Sequence, residues 1–426
     1  MVKAWFGNSV MFAAAMALPI SVAWAQAAPP GDPIAPLPEA AQPAPPVEAP
    51  PPPPLLWQPY QAQTLLGYVR AVGRDGLSPD DYDPAALEGA MRSGDPLRMS
   101  QVATDTFNKL SFDLALGHVR GDARIGWHVV DKDLDETGQR ALLESALHSN
   151  RLVQALDGLL PAHPQYGFLK NALGGALKSG DSVKVNKIRL NMDRWRWLPR
   201  DLGQRYIIVN VPSYYATLVE DGATRWKTRA VAGAIKTPTP QLTATAVGVI
   251  LNPWWEVPTS ISREVAGKPG YVAVKGKDGK VQRWRQPPGP TNALGQLKFV
   301  MYNPQNIYLH DTNAKSRFNS SVRAASHGCI RTKDVLELAT MLLGDDGGEW
   351  TPEKIQETLA SKKSKQANFV KPLPVYIVYF SVAANTDGSI VTYDDMYKRD
   401  SKVIAALLDN DGKAPGKKPA EKVATK

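Results

Sequence analysis

Ser326-His327-Gly328-Cys329-Ile330-Arg331, with His310 placed 19 residues ahead of Cys329 in Tyr308-Leu309-His310-Asp311-Thr312, is the stretch on which the reading of this 426-residue chain turns. Cys329 is the one cysteine of the sequence, so it has no internal disulfide partner. The chain begins like an exported protein, and exported thiols are usually paired or lost. A lone thiol kept there implies chemistry, because a thiolate is a strong nucleophile and an imidazole can generate it near neutral pH. Two imidazoles are at hand. His310 follows the apolar run Ile307-Tyr308-Leu309, at a strand end that can present a reactive group. His327 lies two residues before Cys329 and would face the same side if that stretch were extended. Two competing readings stay open on these residues alone. One is a zinc site of His310, His327 and Cys329, against which the lack of a second cysteine counts. The other is a buried structural cysteine beside a glycine turn.

The first 25 residues have the form of a secretory signal peptide: Lys3, an apolar run near residues 10–22, and Ala23-Trp24-Ala25 as a small-x-small cleavage site. The apolar run is short for a spanning helix, which needs about 20 residues. The expected location is therefore the periplasm. Residues 26–59 are dominated by proline, including Pro50-Pro51-Pro52-Pro53-Pro54, and read as an extended linker. The formal charge of +9 and a pI near 9.3 suit an anionic partner. Export and the absence of a concentrated basic motif argue against nucleic acid, leaving a carboxylate-rich polymer or an anionic surface. Residues 411–426 form a basic tail of Lys, Pro, Gly and Ala, expected to be disordered.

Two bodies with different periodicity follow the linker, and the expected fold class is α+β. Residues 60–182 read as an α-helical domain: Leu65, Val69 and Val72 share one face, as do Phe107, Leu110 and Leu114, and Asp83-Pro84 has the form of a helix start. His118, His128, His148 and His163 are scattered there without metal-site spacing, and no metal is expected. After Gly180 the period is expected to change, giving a mainly β domain over residues 183–410. Glu220-Asp221-Gly222 marks a hairpin between apolar runs, and Thr386-Asp387-Gly388 marks a second turn. Thr332 is the expected cap of a helix lined by Val335, Leu338 and Leu342 and ended by Gly344. On that reading Cys329 lies just before a helix N-terminus, where backbone amides favour a thiolate.

The Ser-His-Gly-Cys-Ile-Arg motif and the upstream histidine resemble the L,D-transpeptidases of the YkuD type. Gly233 with Thr237-Pro238-Thr239-Pro240, and Asn252-Pro253-Trp254-Trp255-Glu256-Val257-Pro258, resemble further family segments. The similarity covers about half the chain. It is finest with the large Gram-negative, YcbB-like members, which place a helical scaffold ahead of the catalytic domain and carry Arg after the Cys-aliphatic pair. The chain departs from them in two ways: the peptidoglycan-binding module usually found before Asn186 is missing, and the capping insertion, here residues 260–294, is short.

The resemblance implies acyl transfer on peptidoglycan stem peptides, with cell-wall and cell-shape roles. Cys329 would be the nucleophile and His310 the general base and acid, oriented by Asp311 through a backbone carbonyl. The Gly328 backbone would help hold the oxyanion, and His327 would be auxiliary. Tyr308, Arg331, Ser326, Trp254 and Trp255 would line the substrate site. Thioester chemistry requires no cofactor. The implied partners are a tetrapeptide donor and a diaminopimelate acceptor, other wall synthases, and carbapenem β-lactams as covalent inhibitors. The same acyl-enzyme could instead attach a protein to the wall or hydrolyse stem peptides, and a non-catalytic wall-binding protein is a further alternative.

Overall fold

The computed structural model describes residues 53–130, 133–385 and 387–409. The expected signal peptide, most of the proline-rich linker, the basic tail and Thr386 of the second turn lie outside the described residues. No described helix is long and apolar enough to cross a membrane.

Helices come first: α1 (Pro59–Ala71), α2 (Pro84–Arg92), α3 (Pro96–Leu116), α4 (Glu136–Ser149), α5 (Leu152–Asp157), α6 (Pro164–Ser179) and α7 (Ser182–Arg196). Their starts are written locally. Asp83 accepts the Ala86 amide at 2.9 Å, Asp95 accepts Leu97 at 3.0 Å, Asp135 accepts Gly138 at 2.7 Å and Asp181 accepts Lys184 at 3.0 Å. Each carboxylate satisfies an orphan donor and meets the positive helix end. Pro84, Pro96 and Pro164 occupy first-turn positions, where no amide hydrogen is needed. Leu65, Val69, Phe107, Leu110 and Leu114 are fully buried in one apolar cluster, as the helical periodicity requires.

The period does not change after Gly180. Residues 182–196 form α7, and strands begin only at Arg205. Val183, Val185, Ile188, Leu190 and Met192 come close to strand-like alternation, which hides the helix. Its C-terminal half is buried nearly all round, including Asn191, Asp193, Arg194 and Arg196. Those charges are tolerable because they are partnered: Arg194 pairs with Asp400 at 2.8 Å, and Asp193 accepts the Trp197 indole at 2.9 Å.

The β body comprises β1 (Arg205–Asn210), β2 (Tyr215–Glu220), β3 (Ala223–Gly233), β4 (Leu242–Leu251), β5 (Trp255–Glu256), β6 (Val272–Lys275), β7 (Val281–Gln286), β8 (Leu297–Met301), β9 (Leu309–His310), β10 (Ala324–Ser326), β11 (Ile330–Thr332), β12 (Lys365–Val378), β13 (Val382–Ala384) and β14 (Ile390–Thr392). With them run α8 (Ser262–Val265), α9 (Val335–Gly344), α10 (Pro352–Ala360) and α11 (Asp400–Leu407). The main sheet runs β10-β3-β11-β9-β8-β4-β12-β1-β2, and pairing of β2 with β3 closes it into a barrel-like ring. Closure removes free edges. The hairpin that makes it possible turns at Asp221 and Gly222, with φ of 49° and 76°, the left-handed pair of a two-residue turn.

Inside the ring Val249, Leu251, Phe299, Leu309, Ile330, Val375 and Ile377 form the core, sealed by Val335, Leu338 and Leu342 of α9. Each such side chain contributes about 1.5–3 kcal/mol by burial. The insertion at 260–294 belongs to a separate three-stranded sheet, β5-β7-β6, with α8 folded against it over Val257, Ile261 and Val265. Thr332 does not cap α9. It ends β11, paired with Ala230, and Asp334 holds the cap position in the left-handed region at φ 50°.

Candidate functional site

The site is assembled where two short parallel strands lie side by side. β9 and β11 pair with Leu309 opposite Ile330 and His310 opposite Arg331, and the Ile330 amide bonds the Tyr308 carbonyl at 3.1 Å. The Ser-His-Gly-Cys sequence is the link between β10 and β11. It is a turn and not an extended run, so His327 and Cys329 are not alternate residues of one strand. Gly328 has φ 115°, a conformation that side chains resist, and there Ser326 closes the loop on itself. Its hydroxyl donates to the Cys329 carbonyl at 2.6 Å and accepts the Gly328 amide at 3.2 Å. Ser326 is buried and serves the turn, not a substrate pocket. The Gly328 amide is likewise committed, whereas the Cys329 amide has no hydrogen-bond acceptor among the described residues and can serve a developing oxyanion.

A second layer fixes the turn from below. Thr239, fully buried, accepts the Gly233 amide at 2.9 Å and donates to the Gly328 carbonyl at 2.7 Å. Thr237 donates to the Ser326 carbonyl at 3.0 Å. A Cβ on Gly233 would stand 2.1 Å from the Thr237 carbonyl oxygen, so only glycine permits the approach. Tyr397 ties the same loop, donating to the Gly233 carbonyl at 2.6 Å and accepting the Thr239 amide at 3.1 Å. Reading the sequence marked Thr-Pro-Thr-Pro as a segment without giving its threonines a role.

His310 is buried, and its Nδ1 donates to the carbonyl of Asp311. The Asp311 carboxylate points elsewhere, accepting the Gln296 amide at 2.9 Å and pairing with Lys315. Burial, then the nearby Arg331 guanidinium, push the imidazole down to about 3. At neutral pH His310 is therefore uncharged with Nδ1 protonated, and Nε2 carries the free lone pair. Cys329 is half-buried. Its thiol donates to the Asn306 carbonyl at 3.6 Å, and burial pushes it above its ordinary range. The amide and hydroxyl of Tyr308, then Lys298 and Arg331, pull in the opposite direction.

Cys329 lies a whole strand, β11, ahead of α9, so the expected helix dipole is not at the sulfur. Tyr308 flanks His310 with ring centroids 5.7 Å apart, and its hydroxyl faces both Cys329 and Trp255. Burial and Cys329 keep that phenol strongly protonated. Trp255 packs toward Tyr271 in the small sheet, and Trp254 carries the Arg285 guanidinium 4.1 Å from its ring. His327 is exposed, 3.6 Å from Glu264 of α8, which brings the insertion against the motif. Arg331 is half-buried and makes no ion pair among the described residues. No three His, Cys, Asp or Glu side chains converge as a metal site among those residues. Asn306, Lys298, Glu264 and the two threonines are the neighbours that sequence reading missed.

Residues 204–377, which contain His310 and Cys329, match the family model of the L,D-transpeptidase catalytic domain, YkuD. Residues 53–173 match that of the scaffold domain. A Haemophilus influenzae protein named "Putative L,D-transpeptidase" is 29% identical over 294 residues, covering 63% of this chain and 59% of its own length. The chain thus spans less than two thirds of that relative. Among solved structures, an L,D-transpeptidase from Mycobacterium smegmatis is 16% identical over 41% of this chain and 58% of its own, at a TM-score of 0.22. L,D-transpeptidase 3 from Mycobacterium tuberculosis, in complex with a faropenem-derived adduct, is 12% identical over 41% of this chain and 60% of its own, at a TM-score of 0.22. Residues 204–377 are thus similar to the L,D-transpeptidase catalytic domain, and the residues ahead of them to the scaffold domain.

Proposed function

We propose that the protein is a periplasmic peptidoglycan L,D-transpeptidase that forms 3→3 cross-links through a thioester on Cys329. The observation that carries this reading is the pairing of β9 with β11, which sets a neutral histidine on one strand beside the start of the next, where the turn delivers the chain's one thiol. In the first half-reaction His310 Nε2 takes the thiol proton as sulfur attacks the carbonyl on the L-centre of the donor's diaminopimelate. The tetrahedral oxyanion is met by the Cys329 amide and the Tyr308 hydroxyl, and loss of one such donor typically costs about 10²–10³ in rate. The C–N bond breaks, the proton passes from His310 to the leaving D-Ala amine, and the thioester remains. In the second half a diaminopimelate side-chain amine attacks the thioester and gives its proton to His310. The S–C bond breaks, and the proton returns to the sulfur. His310 thus serves as base and acid in turn.

Arg331, half-buried near the sulfur and without an ion pair among the described residues, is suited to a stem carboxylate. The small sheet carrying Trp254 and Trp255 would wall the cleft. Carbapenems, which present a strained acyl group to the same sulfur, would be covalent inhibitors. Mass spectrometry of the purified protein with disaccharide-tetrapeptide tests the reading. A cross-linked dimer with loss of one D-Ala is expected. A product lacking D-Ala but never dimeric would assign water as the acceptor and make the protein a carboxypeptidase. An unchanged substrate and an unmodified Cys329 would overturn the enzyme reading.

A further inference from the structure

Lys298 is a cation in the cleft that the proposed chemistry leaves unused. It stands on β8 directly opposite His310 on β9, so the two side chains rise from one face of the sheet. Its ammonium lies 5.0 Å from the centroid of the Tyr308 ring. The adjoining cleft, about 620 Å³, is lined by Lys298, Tyr302, Asn303, Asn306 and Tyr308. Asn306 is the residue whose carbonyl meets the Cys329 thiol. Lys298 is half-buried and makes no ion pair among the described residues. The carboxylate it senses, Glu256, is engaged by Arg283 at 3.1 Å. A desolvated ammonium without a counter-ion is costly, and an aromatic face offsets only part of that. With the neighbouring Cys329 resting as a neutral thiol and Glu256 held by Arg283, the arrangement is suited to an anion.

We propose that Lys298 holds the carboxylate of the residue expelled in the first half-reaction, the free C-terminus of a tetrapeptide stem. The inference rests on the transpeptidase reading and deepens it. Three bonds separate the scissile carbonyl carbon from that carboxylate carbon, a distance of about 3–4 Å. The anion must therefore lie next to the sulfur, where Lys298 approaches from the Tyr308 side and Arg331 from β11. A stem one residue longer has an uncharged amide at this place, so the same lysine would select tetrapeptide over pentapeptide donors.

The test compares wild type and Lys298→Met on a disaccharide-tetrapeptide with a free C-terminus and on its C-terminal amide, with Cys329 acylation followed by intact mass. Wild type should favour the free acid by about 10–100-fold in kcat/KM, the range of a charge-assisted hydrogen bond. Lys298→Met should treat both donors alike, near the wild-type rate for the amide, and Lys298→Arg should keep a preference for the acid. A Lys298→Met protein that retains the wild-type preference overturns the proposal, as does a wild type indifferent to the carboxylate. A lysine that merely stabilised the thiolate would slow both donors and iodoacetamide alkylation together while leaving the preference intact, which also overturns it. If wild type forms no thioester from either donor, the transpeptidase reading has failed and the subsite falls with it. Lys298→Gln, with the same expectations, replaces the methionine variant if circular dichroism shows that the latter does not fold.

Discussion

Burial raises the Cys329 thiol and lowers the His310 imidazole, so the pair rests as neutral thiol and neutral histidine, not as a preformed ion pair. The consequence is a measurable pH dependence. Alkylation by iodoacetamide, which needs the thiolate, should be slow at pH 7 and still be rising beyond pH 9. Acylation by a donor stem, which His310 assists as a base, should show no acid inflection near 6.5, because the imidazole stays unprotonated until about pH 3. An alkylation rate already at its plateau by pH 7 would contradict this. Cys329→Ala should abolish transfer and carbapenem labelling while the fold persists, and labelling that survives the substitution would remove Cys329 from its role. His310→Ala should cost about 10²–10⁴ in rate. His327→Ser should keep a measurable fraction, since His327 is exposed and meets Glu264 rather than the sulfur. Inverted results would exchange the two roles. Cys329 and His310 were legible because residue type and spacing alone make them stand out. The supporting neighbours were not, because their roles come from distant strands: Lys298 depends on the register of β8 with β9, and Asn306 acts through a carbonyl that any residue possesses.

The decisive element is the β10–β11 turn, and its geometry is imposed by the segment after β3. Thr239→Val keeps the shape of the side chain and deletes its hydrogen bonds to Gly233 and Gly328. Buried groups left unpaired cost about 1–3 kcal/mol each, so a loss of about 2–6 kcal/mol of stability is expected on urea unfolding. Acylation of Cys329 should fall with it because the sulfur is carried on that turn. A variant of unchanged stability and rate would show that the staple is dispensable. At this scale, legibility followed how local the signal was. The Glu220-Asp221-Gly222 hairpin and the Asp83-Pro84 helix start were readable because two or three residues fix them. α7 was missed because alternating apolar residues fit a strand as well as a helix whose far end is buried on every side. Thr332 was a plausible cap by type, but pairing with β3 holds it in β11 and moves the helix start to Val335.

In the molecule as a whole, the helical and β bodies share buried surfaces. α6 and α7 pack Leu169, Leu173, Ile188 and Trp195 against Tyr206, Tyr376 and Phe380, and Arg194 crosses to Asp400 of α11. Such contacts could not be read from the sequence, where the whole main sheet separates Trp195 from Phe380 and Arg194 from Asp400. They also give a new meaning to His118, which by spacing alone looked like a scattered histidine. It is buried, its Nδ1 donates to Asp113 at 2.8 Å and its Nε2 donates to the carbonyl of Asp409 at 2.9 Å, joining α3 to the end of α11. Asp113 also accepts from Tyr82 and Arg120, while Asp81 lies 3.9 Å from the imidazole and Asp193 accepts the His118 amide at 2.7 Å. The hydrogen bond to Asp113, then its charge, outweigh burial and raise the imidazole to about 9. A folded pKa above the unfolded value of 6.5 means that the folded state binds the proton more tightly. The stabilisation is therefore complete below about pH 6.5 and is lost as pH rises through about 9. Its size is on the order of 3 kcal/mol, from about 1.4 kcal/mol for each unit of pKa difference. Asp113 is lowered by the same pair, so its share is lost in the opposite direction, as acid protonates it. Urea unfolding of the wild-type protein between pH 6 and pH 9.5 should show stability falling across that window. His118→Gln should start lower and run flat, because an amide has no proton to lose there. Parallel curves for the two proteins would mean that His118 is already neutral at pH 6 and that its charge does not help hold the two bodies together.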